Sequence, residues 1–138
     1  MSKITKANEI KIPETVIGLI YGIPGCGKTS LALSAPKPVL LLDTDGGVSR
    51  VEFEFVTDTV QVRSYQDILD ALNEDLTEYK TIVIDTLGEL ISFMLKHFAE
   101  LNPSMIQKGG NYDRRIYGLI KNEFIRLRDS FKYFGKNL

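Results

Sequence analysis

The 138-residue chain has the length of one domain, able to bury roughly two-thirds of its unfolded surface, with the 43% apolar and 25% charged content of an ordinary globular protein. Its net charge of -1 supplies no bulk field toward nucleic acid or membrane, so contact with either needs a local basic patch. No apolar run approaches the ~20 residues of a membrane span, Met1 to Lys11 lacks the apolar core of a signal peptide, and one cysteine (Cys26) with one histidine (His97) excludes an internal disulfide and a Cys/His metal cluster.

In chain order, residues 1–14 read as an N-terminal extension and residues 15–138 as the core. Thr15 to Tyr21 is a short apolar, β-branched run ending at a Gly-rich turn, as a buried strand would. Lys28 to Ser34 reads as a short helix, closed by Pro36 and Pro38. Val39 to Leu42 is a second buried strand and ends at Asp43. The run Thr59 to Arg63 alternates and reads as an edge strand. A helix over Tyr65 to Glu74 carries Ile68, Leu69 and Leu72 on one face. Thr81 to Ile84 is the third buried strand and ends at Asp85. Leu87 to Leu101 repeats apolar residues at three-four spacing, including Leu90, Ile91, Met94, Leu95 and Phe98. Asn102 to Asn111 is rich in turn formers and reads as a mobile loop. A last long helix, from about Asp113 to Tyr133, turns Ile116, Leu119, Ile120, Phe124, Leu127 and Phe131 to one side. Strands alternating with helices predict an α/β fold with a mostly parallel sheet and helices on both faces. Ligands of such sheets bind at the carboxyl ends of the strands, where the Gly-rich turn, Asp43 and Asp85 all fall.

Gly22-Ile-Pro-Gly-Cys-Gly-Lys28-Thr29 satisfies G-x-x-x-x-G-K-[ST] between a predicted strand and a predicted helix. Glycines let successive backbone N–H groups turn inward on phosphate oxygens, and the helix start adds its positive dipole end. The candidate nucleotide-binding residues are therefore Gly22, Ile23, Pro24, Gly25, Cys26, Gly27, Lys28, Thr29 and Ser30. Lys28 would neutralise the β- and γ-phosphates, and Thr29 would ligate Mg2+. Asp85 ends a buried strand, where a carboxylate reaches the Mg2+ shell. It also suits capping of the helix that follows. Asp43 and Asp45 end the second strand, and either could orient or deprotonate an attacking water. Asp45 is preferred, because Gly46 and Gly47 leave it at the strand tip; a plain Asp-Gly turn is the competing reading. Cys26 and His97 read as bystanders. The expected cofactors are ATP and Mg2+. No Asn-Lys-x-Asp element for guanine occurs.

Gly22–Thr29, Leu40-Leu-Leu-Asp-Thr-Asp-Gly-Gly47 and Thr81-Ile-Val-Ile-Asp-Thr86 together resemble RecA-like P-loop ATPases. The chain is most similar to the small phage-encoded AAA/RecA-like ATPases associated with recombination and single-strand annealing. The resemblance runs from about Thr15 to the end of the chain. It implies ATP hydrolysis with Mg2+ coupled to single-stranded DNA binding, in a cytoplasmic protein, with a homo-oligomer among the expected partners and no membrane. Lys28, Asp45 and Asp85 would carry the catalysis. Asp45 stands where RecA-like proteins carry a catalytic Glu, one methylene longer. Asn102–Asn111 stands where they carry a DNA-contacting loop, which would bring Lys108, Tyr112, Arg114 and Arg115 to nucleic acid; without the resemblance this is a polar loop beside two basic residues. The alternatives are a nucleotide or small-molecule kinase, with Arg114 and Arg115 as lid residues, and a nucleotide-gated binding module with little turnover.

RecA-like cores continue into a sensor strand between the first and third strands, where this chain reaches Phe134 to Leu138 and looks truncated. Ladder groups left unpaired there would cost roughly 1–3 kcal/mol each. The expectation is a sheet that closes the gap or takes a strand from another molecule.

Overall fold

In a computed structural model, residues 4–11, 14–133 and 135–138 are described. Residues 1–3 and 12–13 of the N-terminal extension lie outside them, as does Phe134. Three parallel strands form the sheet: β1 (Val39–Asp43), β2 (Asp58–Gln61) and β3 (Thr81–Asp85), in the order β2-β1-β3. Four helices accompany them: α1 (Lys28–Leu33), α2 (Tyr65–Leu72), α3 (Leu87–Leu101) and α4 (Arg114–Tyr133). This is an α/β arrangement, a parallel sheet with helices packed against it.

All five residues of β1 are buried, because β1 is flanked on both edges and covered on both faces. Its alternation sorts two cores. Leu40 and Leu42 face the larger one with Ile82, Ile68, Leu90, Met94, Ile120, Leu127 and Phe131, beneath α2, α3 and α4. Val39 and Leu41 face the smaller one with Val83 and Leu33 of α1. Leu40 pairs with Asp58 on β2 and Ile82 on β3, and Asp43 with Gln61 and Asp85. The register thus brings the ends of β1 and β3 level, with Asp43 beside Asp85. As the alternation of Thr59–Arg63 predicted, β2 lies at an edge of the sheet, with bounds Asp58–Gln61.

Local chemistry sets the helix starts. Ser64 Oγ accepts from the Asp67 N–H at 3.3 Å and the Asp67 carboxylate accepts from the Ser64 N–H at 2.9 Å, a reciprocal capping box on α2. Thr86 caps α3 by accepting from the Glu89 N–H at 3.5 Å.

The first predicted strand does not form: Thr15–Tyr21 belongs to no strand, and Val16, Leu19 and Tyr21 are 67%, 70% and 88% exposed. Between this segment and β3 lie Asn137 and Leu138. Asn137 bridges Thr81 in parallel and accepts from the Ile82 N–H at 2.9 Å. Leu138 donates to the Val16 carbonyl at 3.0 Å and accepts from the Gly18 N–H at 2.9 Å. The Thr15–Tyr21 segment therefore does not close directly onto β3: Asn137 and Leu138 stand between the two, bonded to Ile82 on one side and to Val16 and Gly18 on the other. Among the described residues the segment's backbone bonds to these neighbours fall at Val16 and Gly18, and its apolar side chains stay exposed. The loop after α3 is also more ordered than a run of turn formers suggests. Ile106 and Tyr112 form an antiparallel bridge, and the Gln107 N–H donates to the Asn111 carbonyl at 2.8 Å.

Candidate functional site

The loop Gly22–Thr29 takes the conformation its glycines permit. Gly25 and Gly27 have φ of 78° and 85°, a region that side chains disfavour. A Cβ on Gly22 would stand 2.9 Å from Cys26 Sγ, so the first glycine is required by the closeness of the turn. The Gly27 carbonyl accepts from the Leu31 N–H at 2.9 Å and starts α1. Lys28 folds back over the loop, its Nζ donating to the carbonyls of Gly22 and Ile23 at 3.0 and 2.8 Å.

Thr29 and Asp85, 56 residues apart, meet here: the Thr29 hydroxyl donates to Asp85 Oδ2 at 2.5 Å. Both are hard oxygen donors of the kind Mg2+ selects, and the glycine loop opens directly into the helix that carries Thr29. The residues present fit a Mg-nucleotide. Among the described residues no group of three or more His, Cys, Asp or Glu could hold a metal ion. A metal at this place would thus depend on phosphate and water oxygens for the rest of its shell, as Mg2+ in nucleotide sites does.

The two acids after β1 have different surroundings. Asp43 is 1% exposed. Its Oδ1 accepts from the Gly47 N–H at 2.9 Å, and its Oδ2 from the Val48 N–H at 3.2 Å and Gln61 Nε2 at 3.1 Å. It is committed to holding the turn that follows it. Asp45 is exposed. Its Oδ1 accepts from the Gly47 N–H at 2.9 Å, and its Oδ2 pairs with Arg50 Nη2 at 3.3 Å. Gly47 is the meeting point: a Cβ there would lie 2.9 Å from Asp45 Oδ1, 3.6 Å from Asp85 Oδ2 and 3.8 Å from Arg50 Nη2. Asp45 and Asp85 thus flank Gly47, and of the two acids after β1 Asp45 is the one exposed to solvent.

A cavity of about 260 Å3 lies elsewhere, lined by Leu40, Val60 and Tyr79 at the amino ends of β1 and β2. Asp58, Glu74, Asp75 and Glu78 also line it, which makes it hostile to phosphate.

A family model described as an AAA domain matches residues 14–138. The chain belongs to the AAA domain family. It is accordingly an AAA-type P-loop protein, and nucleotide binding is the property this AAA domain implies. No curated protein and no solved structure matches the chain. No helix among the described residues is long and apolar enough to cross a membrane.

The remaining candidates of this AAA domain lie apart from the loop. Residues 103–112 follow α3, whose 15 residues carry them about 22 Å from its start at Asp85 and Thr86. Lys108 and Arg114 are exposed, and Tyr112 is half-buried. Arg115 pairs with Asp113 at 3.0 Å, and the Arg115 guanidinium holds the Asp113 carboxyl below the usual range. His97 stacks edge-on against Tyr65 and Phe98, with ring centroids 5.2 and 5.5 Å away. Cys26 is a free, exposed thiol.

No motif pointed to Thr44, Arg50 or Gln61. The Thr44 hydroxyl accepts from the Thr86 N–H at 2.7 Å and donates to the Thr86 carbonyl at 3.0 Å, and the Thr44 N–H donates to the Asp85 carbonyl at 2.7 Å. It locks the end of β1 to the residues bearing the second acid. Its partners lie more than 40 positions away in sequence, beyond the reach of any local pattern.

Proposed function

We propose that this chain binds Mg-ATP through Gly22–Ser30 and hydrolyses it, and that residues 15–138 act as one catalytic unit with residues 1–14 as an extension. The observation that carries this reading is the 2.5 Å contact of the Thr29 hydroxyl with Asp85 Oδ2 at the mouth of the glycine loop. Two motif halves from distant parts of the chain converge where Mg2+ is needed. Lys28 reaches from the same loop to the β- and γ-phosphates, which its two present carbonyl partners do not prevent. Thr29 and Asp85 hold Mg2+, which when bound offsets the charge of the phosphates. Asp45 orients the attacking water and takes its proton as the water oxygen bonds to the γ-phosphorus and the bond to ADP breaks.

The resemblance to small phage RecA-like ATPases extends the proposal to single-stranded DNA, in phage-type recombination in the cytoplasm of the host. Lys108 and Arg114 would take phosphates and Tyr112 a base, with Arg115 exchanging Asp113 for the nucleic acid. The route from the site to residues 103–112 is α3, which is capped by Thr86 beside Asp85, begins at Leu87 and ends at Leu101. A second copy of the chain is the expected partner in a filament or ring on DNA.

Titration of Mg-ATP by calorimetry, followed by hydrolysis assays with and without single-stranded DNA, tests the two parts separately. Lys28→Ala is expected to abolish or severely weaken binding; near-normal binding removes the phosphate assignment. Replacing Lys108, Arg114 and Arg115 by Ala is expected to weaken DNA binding and flatten its salt dependence. Unchanged affinity at two salt concentrations removes the DNA assignment and leaves the nucleotide site standing.

A further inference from the structure

We propose that Arg50 is a further substrate-binding residue of this site, one that reads the terminal phosphate of a nucleoside triphosphate; the proposal rests on the nucleotide-site reading above. Arg50 ends the short turn Gly47–Arg50, and no motif includes it. Its guanidinium meets Asp45 Oδ2 at 3.3 Å and the Asp45 carbonyl at 3.4 Å. Both contacts come from the same nitrogen and both are long. The side chain is 67% exposed, so this pairing is weak and readily exchanged. A guanidinium offers five N–H donors in a planar fork, and Arg50 uses one nitrogen of that fork on Asp45.

Position turns this spare capacity into a function. Arg50 Nη2 and Asp85 Oδ2 both lie within 4 Å of one point above the Gly47 Cα, and Asp85 Oδ2 is the atom bonded to the Thr29 hydroxyl. The guanidinium thus hangs over the side of the proposed Mg2+ site on which Asp45 stands. Lys28 supplies positive charge from the glycine loop; Arg50 supplies it from the turn that follows β1. A dianionic terminal phosphate outcompetes a singly charged, solvated carboxylate for a guanidinium, and does so with two parallel hydrogen bonds. Arg50 therefore moves from Asp45 to the terminal phosphate when a triphosphate binds. The same exchange frees Asp45 Oδ2 for the attacking water. A diphosphate, ending one phosphate short, leaves the Asp45–Arg50 pair in place.

The test compares dissociation constants of the full chain for Mg-ADP and for a non-hydrolysable Mg-ATP analogue. It uses the wild type, Arg50→Ala, Arg50→Lys and Asp45→Asn. Arg50→Ala is expected to weaken the triphosphate analogue by about tenfold or more, the value of a charge-assisted pair, and to leave ADP within twofold. Arg50→Lys should recover part of the loss, since charge is kept and the fork is not. Asp45→Asn, which releases Arg50, should hold or strengthen the preference for triphosphate. Equal weakening of both nucleotides by Arg50→Ala, or no weakening of either, overturns the proposal. If the wild type binds neither nucleotide, the nucleotide-site reading itself falls and this one with it. If the wild type binds both and Arg50→Ala behaves like it, only Arg50 is lost.

Discussion

Asp43 and Asp45 are two residues apart and chemically identical, yet the fold gives them different tasks. Asp43 is enclosed and accepts three hydrogen bonds, two of them from the backbone of its own turn. Asp43→Asn would point an amide N–H2 at existing donors, at a cost of roughly 1–3 kcal/mol. A clear fall in melting temperature is expected, with any loss of hydrolysis following from it. Asp45→Asn should leave the melting temperature within a degree or two, since the residue is exposed, its ion pair with Arg50 is a surface one, and the amide oxygen can still accept from the Gly47 N–H. It should lower turnover by about 10²–10⁴-fold while nucleotide still binds. Normal turnover in Asp45→Asn with a stable, inactive Asp43→Asn would reverse the assignment. Gly47 is the third residue of this group. Its Cα lies so close to Asp45 and Asp85 that a methyl would stand 2.9 Å from Asp45 Oδ1, and relief is expected to come from that carboxylate. Gly47→Ala should therefore reduce hydrolysis by about tenfold, some 1.4 kcal/mol of transition-state stabilisation, and leave ADP affinity little changed. Turnover equal to wild type would show that the Asp45 orientation is immaterial.

Helices α2, α3 and α4 are fastened to one another by a polar cluster on the outer side of the larger core. The buried Tyr65 hydroxyl donates to Glu123 Oε1, and Arg126 donates to the same carboxylate at 2.6 and 3.0 Å. His97 of α3 stacks on the Tyr65 ring. Arg126, followed by the Tyr65 hydroxyl, holds the Glu123 carboxyl below its usual range against the opposing effect of burial. Burial, then the Glu123 carboxylate, pushes the Tyr65 hydroxyl up. A carboxyl with a lowered folded-state pKa stabilises the fold above its ordinary value of ~4.3. That contribution is lost as pH falls through the lowered value. Glu123→Gln should therefore melt below wild type at pH 7, and the gap should shrink once pH drops under about 4. A gap that stays constant from pH 7 to pH 3 would show that the charge on Glu123 contributes nothing. The helices themselves follow from local signals: Ser64 and Thr86 as caps, and apolar residues at three-four spacing on α3 and α4. The cluster does not, because Tyr65 and Glu123 are 58 positions apart.

Across the whole molecule, the segment ahead of the glycine loop is attached to the sheet through the last residues of the described chain. Asn137 is the central clamp. Its side chain accepts from the Val16 N–H at 2.8 Å, while its backbone joins Lys80 and Ile82 on the other side. Lys136 anchors the same stretch through its ammonium, which donates to the carbonyls of Thr77 and Tyr79. Asn137→Ala leaves the backbone ladder but removes the side-chain bond to Val16, worth about 1 kcal/mol. The expected result is a modest fall in melting temperature with faster hydrogen exchange at Val16 and Gly18. Weaker nucleotide binding should accompany it, because Gly18 leads directly into the loop at Gly22. Unchanged exchange at both amides would mean that Asn137 carries no load between the sheet and the loop.

The glycine loop, the individual strands β1, β2 and β3 and the four α-helices described were legible in the sequence because each depends on neighbours within a few residues. Glycines at 25 and 27 permit the left-handed turns, Lys28 and Thr29 follow in fixed spacing, and β1 and β3 are short apolar runs ending at acids. Thr15–Tyr21 has the same apolar composition and was misread as a buried strand. Composition reports what a segment prefers, whereas burial depends on what lies beside it, here two residues from the far end of the chain. The different surroundings of Asp43 and Asp45, the grip of Thr44 on Thr86, and the place of Arg50 beside Gly47 were likewise decided by tertiary structure alone. Each arises from the register that sets the ends of β1 and β3 side by side, a long-range pairing that no local pattern encodes.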